Sequence, residues 1–153
     1  MSLESDVSLL GRVPLLAEFG AERLRLLAFS AESLRLEDGQ VLFEAGDTAD
    51  SAYVIVSGEI ALYSPFRANH LLEVCGSGRM IDERSLIVTG ERLSRAVARG
   101  DCEIIRIRRN LFRRMLEEYP DTAARLRPHF AAKLVELSEA LDPVRRRLDD
   151  LDD

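Results

Sequence analysis

Between Ser33 and Arg108 the chain is broken into short apolar runs by seven turn-forming pairs: Asp38-Gly39, Gly46-Asp47, Ser57-Gly58, Ser64-Pro65, Ser77-Gly78, Thr89-Gly90 and Gly100-Asp101. They recur at intervals of 7 to 13 residues. A turn every 8–12 residues or so leaves room for one strand between turns, which is the pattern of an antiparallel sandwich or barrel. The runs between them are Val41-Leu42-Phe43, Tyr53-Val54-Ile55-Val56, Ile60-Ala61-Leu62-Tyr63, Leu71-Leu72-Glu73-Val74 and Ile105-Arg106-Ile107. The last alternates apolar and charged residues, predicting a strand with one buried and one wet face.

The flanks follow a helical period instead. From Val7 to Phe29, leucines and phenylalanines recur at spacings of three and four, broken at Pro14 and Gly20, so short helices are expected over residues 7–30. After the last strand, Asn110 is the expected N-cap of a helix with the stripe Leu111, Met115 and Leu116, stopped by Pro120. A second series then runs through Leu126, Phe130, Leu134, Leu137, Leu141, Val144, Leu148 and Leu151. Its alternating steps of three and four describe a coiled-coil seam. Pro128 and Pro143 interrupt that seam, and Pro143 is expected to open a new segment capped by Asp142. The strongest stretch predicts a homodimer through Phe130, Leu134, Leu137 and Leu141. The expected fold is therefore mainly β with flanking α. It is an antiparallel sandwich or barrel over 33–108, with N-terminal helices at 7–30 and a long C-terminal helical region at 110–151, all in one domain spanning 1–153.

Composition narrows the function. Lys+Arg 21 against Asp+Glu 27 leaves a net charge of −6, whereas a nucleic-acid binder usually presents a basic excess. The arginine clusters at 106–114 and 145–147 are followed by Glu117, Glu118, Asp149 and Asp150, which reads as solvated helix surface. No apolar run reaches the roughly 20 residues that cross a bilayer, and the N-terminus lacks the order of a signal peptide, so a cytoplasmic protein without membrane contact is expected. Cys75 and Cys102 are expected to be buried free thiols. His70 and His129 are too few for a metal centre, no serine or cysteine has an evident histidine base, and a non-enzymatic protein is expected.

The segment from Val41 to Tyr63 contains Glu44-Ala45-Gly46-Asp47 and Tyr53-Val54-Ile55-Val56-Ser57-Gly58. These residues resemble the E-x-G-D turn and Y-x-I-x-x-G strand of the cyclic-nucleotide-binding domain family, and Val13-Pro14-Leu15-Leu16 and Asp101 to Ile107 look like further family positions. The resemblance implies an antiparallel jelly-roll (double-stranded β-helix) barrel of eight-stranded type over 33–108, in which Gly39, Gly46 and Gly58 are turn glycines with positive φ. It also implies a phosphate-binding cassette over Asp82-Glu83-Arg84-Ser85-Leu86 and Arg92-Leu93-Ser94. Glu83 would then accept from a ribose hydroxyl and Arg92 pair a cyclic phosphate. Asp82 stands where the family has glycine, Arg84 where it has leucine, and Leu93 where it has a hydroxyl donor. A carboxylate about 4 Å from a phosphate charge costs on the order of 4 kcal/mol at an effective dielectric near 20, about a thousandfold in affinity. The family ligands, cyclic AMP or cyclic GMP, are thus expected to bind poorly. Asp82, acting as an N-cap paired with Arg92, would supply an internal anion instead. Too few residues follow Leu141 for a helix-turn-helix, so the expected output is through an unidentified effector protein. This predicts a small-molecule-sensing regulatory module, or else a barrel that has lost its nucleotide and serves as a dimeric interaction module.

The dimer seam is tested by light scattering at micromolar protein, where the expected mass is twice the 17.2 kDa of one chain. Leu134→Asp combined with Leu137→Asp should return it to a single chain mass.

Overall fold

The computed structural model describes residues 2–67 and 69–132. Leu134, Leu137, Leu141 and the Asp142-Pro143 cap lie outside the described residues. The strands are β1 (Glu32–Leu36), β2 (Val41–Phe43), β3 (Ser51–Tyr63), β4 (Leu71–Cys75), β5 (Met80–Ile81) and β6 (Arg95–Arg108). All pairings are antiparallel, in the order β1-β6-β3-β4, with β2 also on β6 and β5 on β3.

Two expected turns lie inside strands. Ser57-Gly58 falls within the 13-residue β3 and Gly100-Asp101 within the 14-residue β6. The β3–β6 register shifts at Ser57, between Ile55 and Glu59, so each long strand bends there and serves two half-sheets. The first half of β3 pairs with the second half of β6, joined by β1 and β5. The second half of β3 pairs with the first half of β6, joined by β2 and β4. This is the jelly-roll plan, with two strands each doing the work of two.

Residues 51–56 are buried on both faces. Tyr53 and Ile55 point into the barrel with Ile60, Ile81, Ala96, Ala98, Cys102 and Ile104. Ala52, Val54 and Val56 point outward with Ile105 and Ile107, into a second core covered by helices. The alternation expected there holds from 105 to 108, with Ile105 and Ile107 buried and the Arg106 and Arg108 side chains partly exposed. Those two isoleucines meet the helices, while Arg106 lies on the barrel side with its guanidinium 6.0 Å from the Tyr53 ring centre.

The covering helices are α1 (Leu3–Leu10), α2 (Pro14–Ala17), α3 (Ala21–Ser30) and α4 (Arg109–Glu118). Pro14 opens α2, where its missing N–H costs nothing, and Gly20 precedes α3. Asn110 is not the cap of α4. The helix starts directly off β6, with Arg108 extended at the cap position and the Arg109 amide donating to the Asp50 carbonyl at 2.8 Å. Residues 120–132 are helical again after Pro120. Leu126 is fully buried in the helix-covered core, and the half-buried Phe130 meets Phe112 edge-on at 6.2 Å. Those two members of the expected seam thus pack within their own chain. Cys75 and Cys102 are both buried thiols, and burial pushes the Cys75 thiol above its ordinary pKa.

Gly39, Gly46 and Gly58 have φ of 80°, 92° and 83°. Gly58 is the most constrained, because a Cβ there would lie 2.5 Å from the Asp101 carbonyl oxygen and 2.7 Å from Cys102 Sγ. Gly58→Ala should therefore lower stability by about 2–4 kcal/mol, combining left-handed strain with overpacking at the bend. Urea unfolding should show the midpoint drop with little change in slope.

Candidate functional site

The segment after β5 turns sharply at Asp82, whose φ of 59° and ψ of 49° are left-handed, and continues as a short 3-10 helix over Glu83–Leu86. Glycine adopts this conformation freely, and aspartate is one of the few other residues that tolerates it. The turn brings Asp82 over the mouth of the barrel. The Ser85 hydroxyl, buried beneath it, lies 2.6 Å from the carbonyl oxygens of both Asp82 and Ser51, which share its one proton, tying the 3-10 helix to the start of β3.

Arg92 enters from the other side. Its backbone is anchored to the turn at 46–47, with the Arg92 amide donating to Asp47 O at 2.7 Å and the Gly46 amide donating to Arg92 O at 2.9 Å. The side chain is driven into the barrel mouth and is only 3% exposed. There Nη1 donates to the Asp82 carboxylate at 2.7 Å and to Ser51 O at 2.6 Å, while Nη2 donates to Ser51 Oγ at 3.2 Å. The guanidinium stacks over Phe43 at 4.6 Å and lies 5.2 Å from Tyr53. A permanently charged group so deeply buried needs an anion and acceptors close by, and aromatic faces add to its stabilisation. Its Nε–H has no partner among the described residues.

Arg84 closes the outer side of the same carboxylate, with Nε 3.5 Å from Asp82 Oδ1, and donates to the carbonyl of Glu91. The expected Asp82–Arg92 pair is therefore present. The expected capping role is not, because the left-handed backbone at Asp82 leaves its side chain without a cap hydrogen bond. Glu83 faces elsewhere, 2.7 Å from His129 Nε2 on the helix at 120–132. Leu93 is 64% exposed, while Ser94 is half-buried just before β6. Of the six expected site residues, Asp82, Arg84 and Arg92 converge, while Glu83 pairs with His129 and Leu93 lies exposed.

Several contributors escaped the sequence reading. Asp50 bonds Ser51 Oγ at 2.9 Å and Arg106 Nη2 at 3.1 Å, and lies 3.8 Å from Arg92 Nη2. Burial raises the Asp50 carboxyl, but the bonds from Ser51 and Arg106 and the charges of Arg106 and Arg108 outweigh it and hold it below its usual pKa. Arg109 Nη1 reaches the carbonyls of Ala49, Ser85 and Val88 at 3.0–3.1 Å, so α4 is bolted to the same loop. The spacing of Ser51, Tyr53 and Ile55 on one strand face was the available signal for Ser51. Nothing local to the sequence points to Asp50, Arg106 or Arg109.

The antiparallel jelly-roll barrel with flanking helices, a 3-10 turn and a buried arginine at its mouth is a β-roll fold. The family model described as cyclic nucleotide-binding domain matches residues 33–119. The chain belongs to the cyclic nucleotide-binding domain family. Among solved structures it is similar to a cyclic nucleotide-binding-like protein from Brucella abortus, at 43% identity and a TM-score of 0.67, covering 73% of this chain and 97% of that one. It is 30% identical over 119 residues to the cyclic AMP receptor protein of Thermus thermophilus, covering 76% of this chain and 55% of that protein. It is also 33% identical over 111 residues to an uncharacterised NTE family protein of Mycobacterium bovis, covering 72% of this chain. The matched region makes up only 19% of that mycobacterial protein. No helix among the described residues is long and apolar enough to cross a membrane.

The lowered Asp50 pKa sets an acid limit. A depressed folded-state pKa contributes stability that is complete above the unfolded value of 3.8 and is lost as pH falls through the lower folded value. Asp50→Asn should be less stable than wild type at pH 7, and the gap between their urea midpoints should shrink once the pH drops below that window.

Proposed function

We propose that this domain is a non-enzymatic regulatory module whose cyclic-nucleotide site is closed from within, the Asp82 carboxylate standing in for the ligand phosphate. The supporting observation is the 2.7 Å contact between Asp82 Oδ2 and Arg92 Nη1 on a side chain that is 2% exposed. Arg92 is the residue that the family resemblance assigns to the phosphate. Its charge is already balanced, and a cyclic phosphate monoanion arriving there meets a carboxylate first. At about 4 Å that repulsion costs on the order of 4 kcal/mol, enough to turn micromolar affinity into millimolar. Glu83, the expected ribose partner, is engaged by His129.

The module acts through a partner. A matched region that is 19% of the mycobacterial protein is joined there to a far larger remainder, which supports a regulatory part influencing a neighbour. The dimer would run through Leu134, Leu137 and Leu141, Phe130 being packed on Phe112 of its own chain, and would place two such modules side by side. Its support is the spacing of three leucines outside the described residues.

Calorimetry provides the test. Wild type should give no binding isotherm with cyclic AMP or cyclic GMP at micromolar concentrations, and Asp82→Gly with Leu93→Ser should acquire measurable affinity. Removing the carboxylate leaves Arg92 without its nearest anion, so the variant should melt lower and be raised again by nucleotide. Micromolar binding of either cyclic nucleotide by wild type would overturn the proposal.

A further inference from the structure

The Asp82 carboxylate is shared. Oδ2 faces Arg92 Nη1 at 2.7 Å and Oδ1 faces Arg84 Nε at 3.5 Å, so one anionic group bridges two guanidiniums. All three side chains are largely buried, with exposures of 2% for Arg92, 17% for Arg84 and 13% for Asp82. Arg84 is braced from behind, its guanidinium donating to Glu91 O and resting against Gly90, where an added Cβ would come within 3.2 Å of Nη1. Arg92 keeps a buried Nε–H without a partner among the described residues, so its donors are not exhausted. Asp50 is the other nearby carboxylate, 3.8 Å from Arg92 but drawn also to Arg106 and Arg108.

An anion in place of the Asp82 carboxylate therefore sits between two arginines, with Asp50 as a counter-charge on the Arg92 side. We propose that this position takes a phosphate monoester dianion, displacing Asp82, in preference to a cyclic phosphodiester. A monoester carries close to two negative charges at pH 7 and three acceptor oxygens, matching two guanidinium donors. A cyclic diester carries one charge and leaves one arginine uncompensated. Asp82 is the internal competitor that sets the threshold for this exchange. The inference rests on the closed-site reading above and names the ligand class able to open it.

The experiment compares 5′-AMP, inorganic phosphate and cyclic AMP on the full chain. With wild type, about 5 mM 5′-AMP should raise the melting temperature while the same concentration of cyclic AMP does not. Asp82→Gly and Asp82→Asn, both compatible with the left-handed backbone, should bind 5′-AMP in calorimetry at least tenfold more tightly than cyclic AMP. Arg84→Leu in either background should abolish that preference. Inorganic phosphate binding as well as 5′-AMP would assign recognition to the phosphate alone, and tighter 5′-AMP would add the nucleoside; either supports the proposal. Cyclic AMP binding the Asp82 variants as tightly as 5′-AMP, an unchanged preference in Arg84→Leu, or no binding by folded Asp82 variants would overturn it. Micromolar cyclic AMP binding by wild type would instead defeat the closed-site reading itself, so the two failures are separable.

Discussion

Arg92 carries a charge that it cannot shed, inside a barrel whose walls are apolar. A guanidinium stays protonated at any pH the fold survives, so removing it from water costs several kcal/mol unless its surroundings compensate. The compensation is drawn from three separate pieces of chain. Asp82 comes from the turn after β5, Ser51 and Tyr53 from β3, Phe43 from β2, and Asp50 from the turn before β3. None of these is adjacent to Arg92 in sequence. The mouth of the barrel is thus a set of distant segments held to one buried cation.

The same cassette is tied to both helical segments that follow the barrel. Arg109, the first residue of α4, holds the carbonyls of Ser85 and Val88. Glu83 meets His129 on the helix at 120–132, whose Phe130 ring in turn packs on Phe112 of α4. Ser85 lies between these contacts and the Asp82 turn, bonded to both Asp82 O and Ser51 O. A shift of the cassette therefore changes hydrogen bonds to α4 and to the following helix together. Such differential contacts are what a ligand needs if its binding is to alter anything beyond its own site.

Much of the framework was legible because it depends on short-range geometry. Side chains alternate along a strand and recur every three to four residues along a helix whatever the surroundings, so turn pairs and apolar spacing located the barrel and its flanking helices. The misreadings occurred where the surroundings decide. Ser57-Gly58 and Gly100-Asp101 read as strand ends, yet both lie inside β3 and β6, because each forms half of the bend shared by two paired strands. Asn110 had the chemistry of a cap, but the Arg109 amide was already committed to Asp50.

By itself the sequence determined that this chain would form a turn-punctuated β-barrel between helices, and that an aspartate would stand beside an arginine where the family resemblance places a phosphate. Period, turn chemistry and charge sign belong to residues individually, so they survive without coordinates. Only the tertiary structure decided that the Asp82 carboxylate would lie between Arg92 and Arg84, that Leu93 would face solvent, and that Glu83 would be engaged by a histidine 46 residues away. Those outcomes follow from how β3, β6, the 3-10 turn and the later helices close on one another. Electrostatic partners at the mouth are chosen by proximity in space, which no local pattern in the chain encodes.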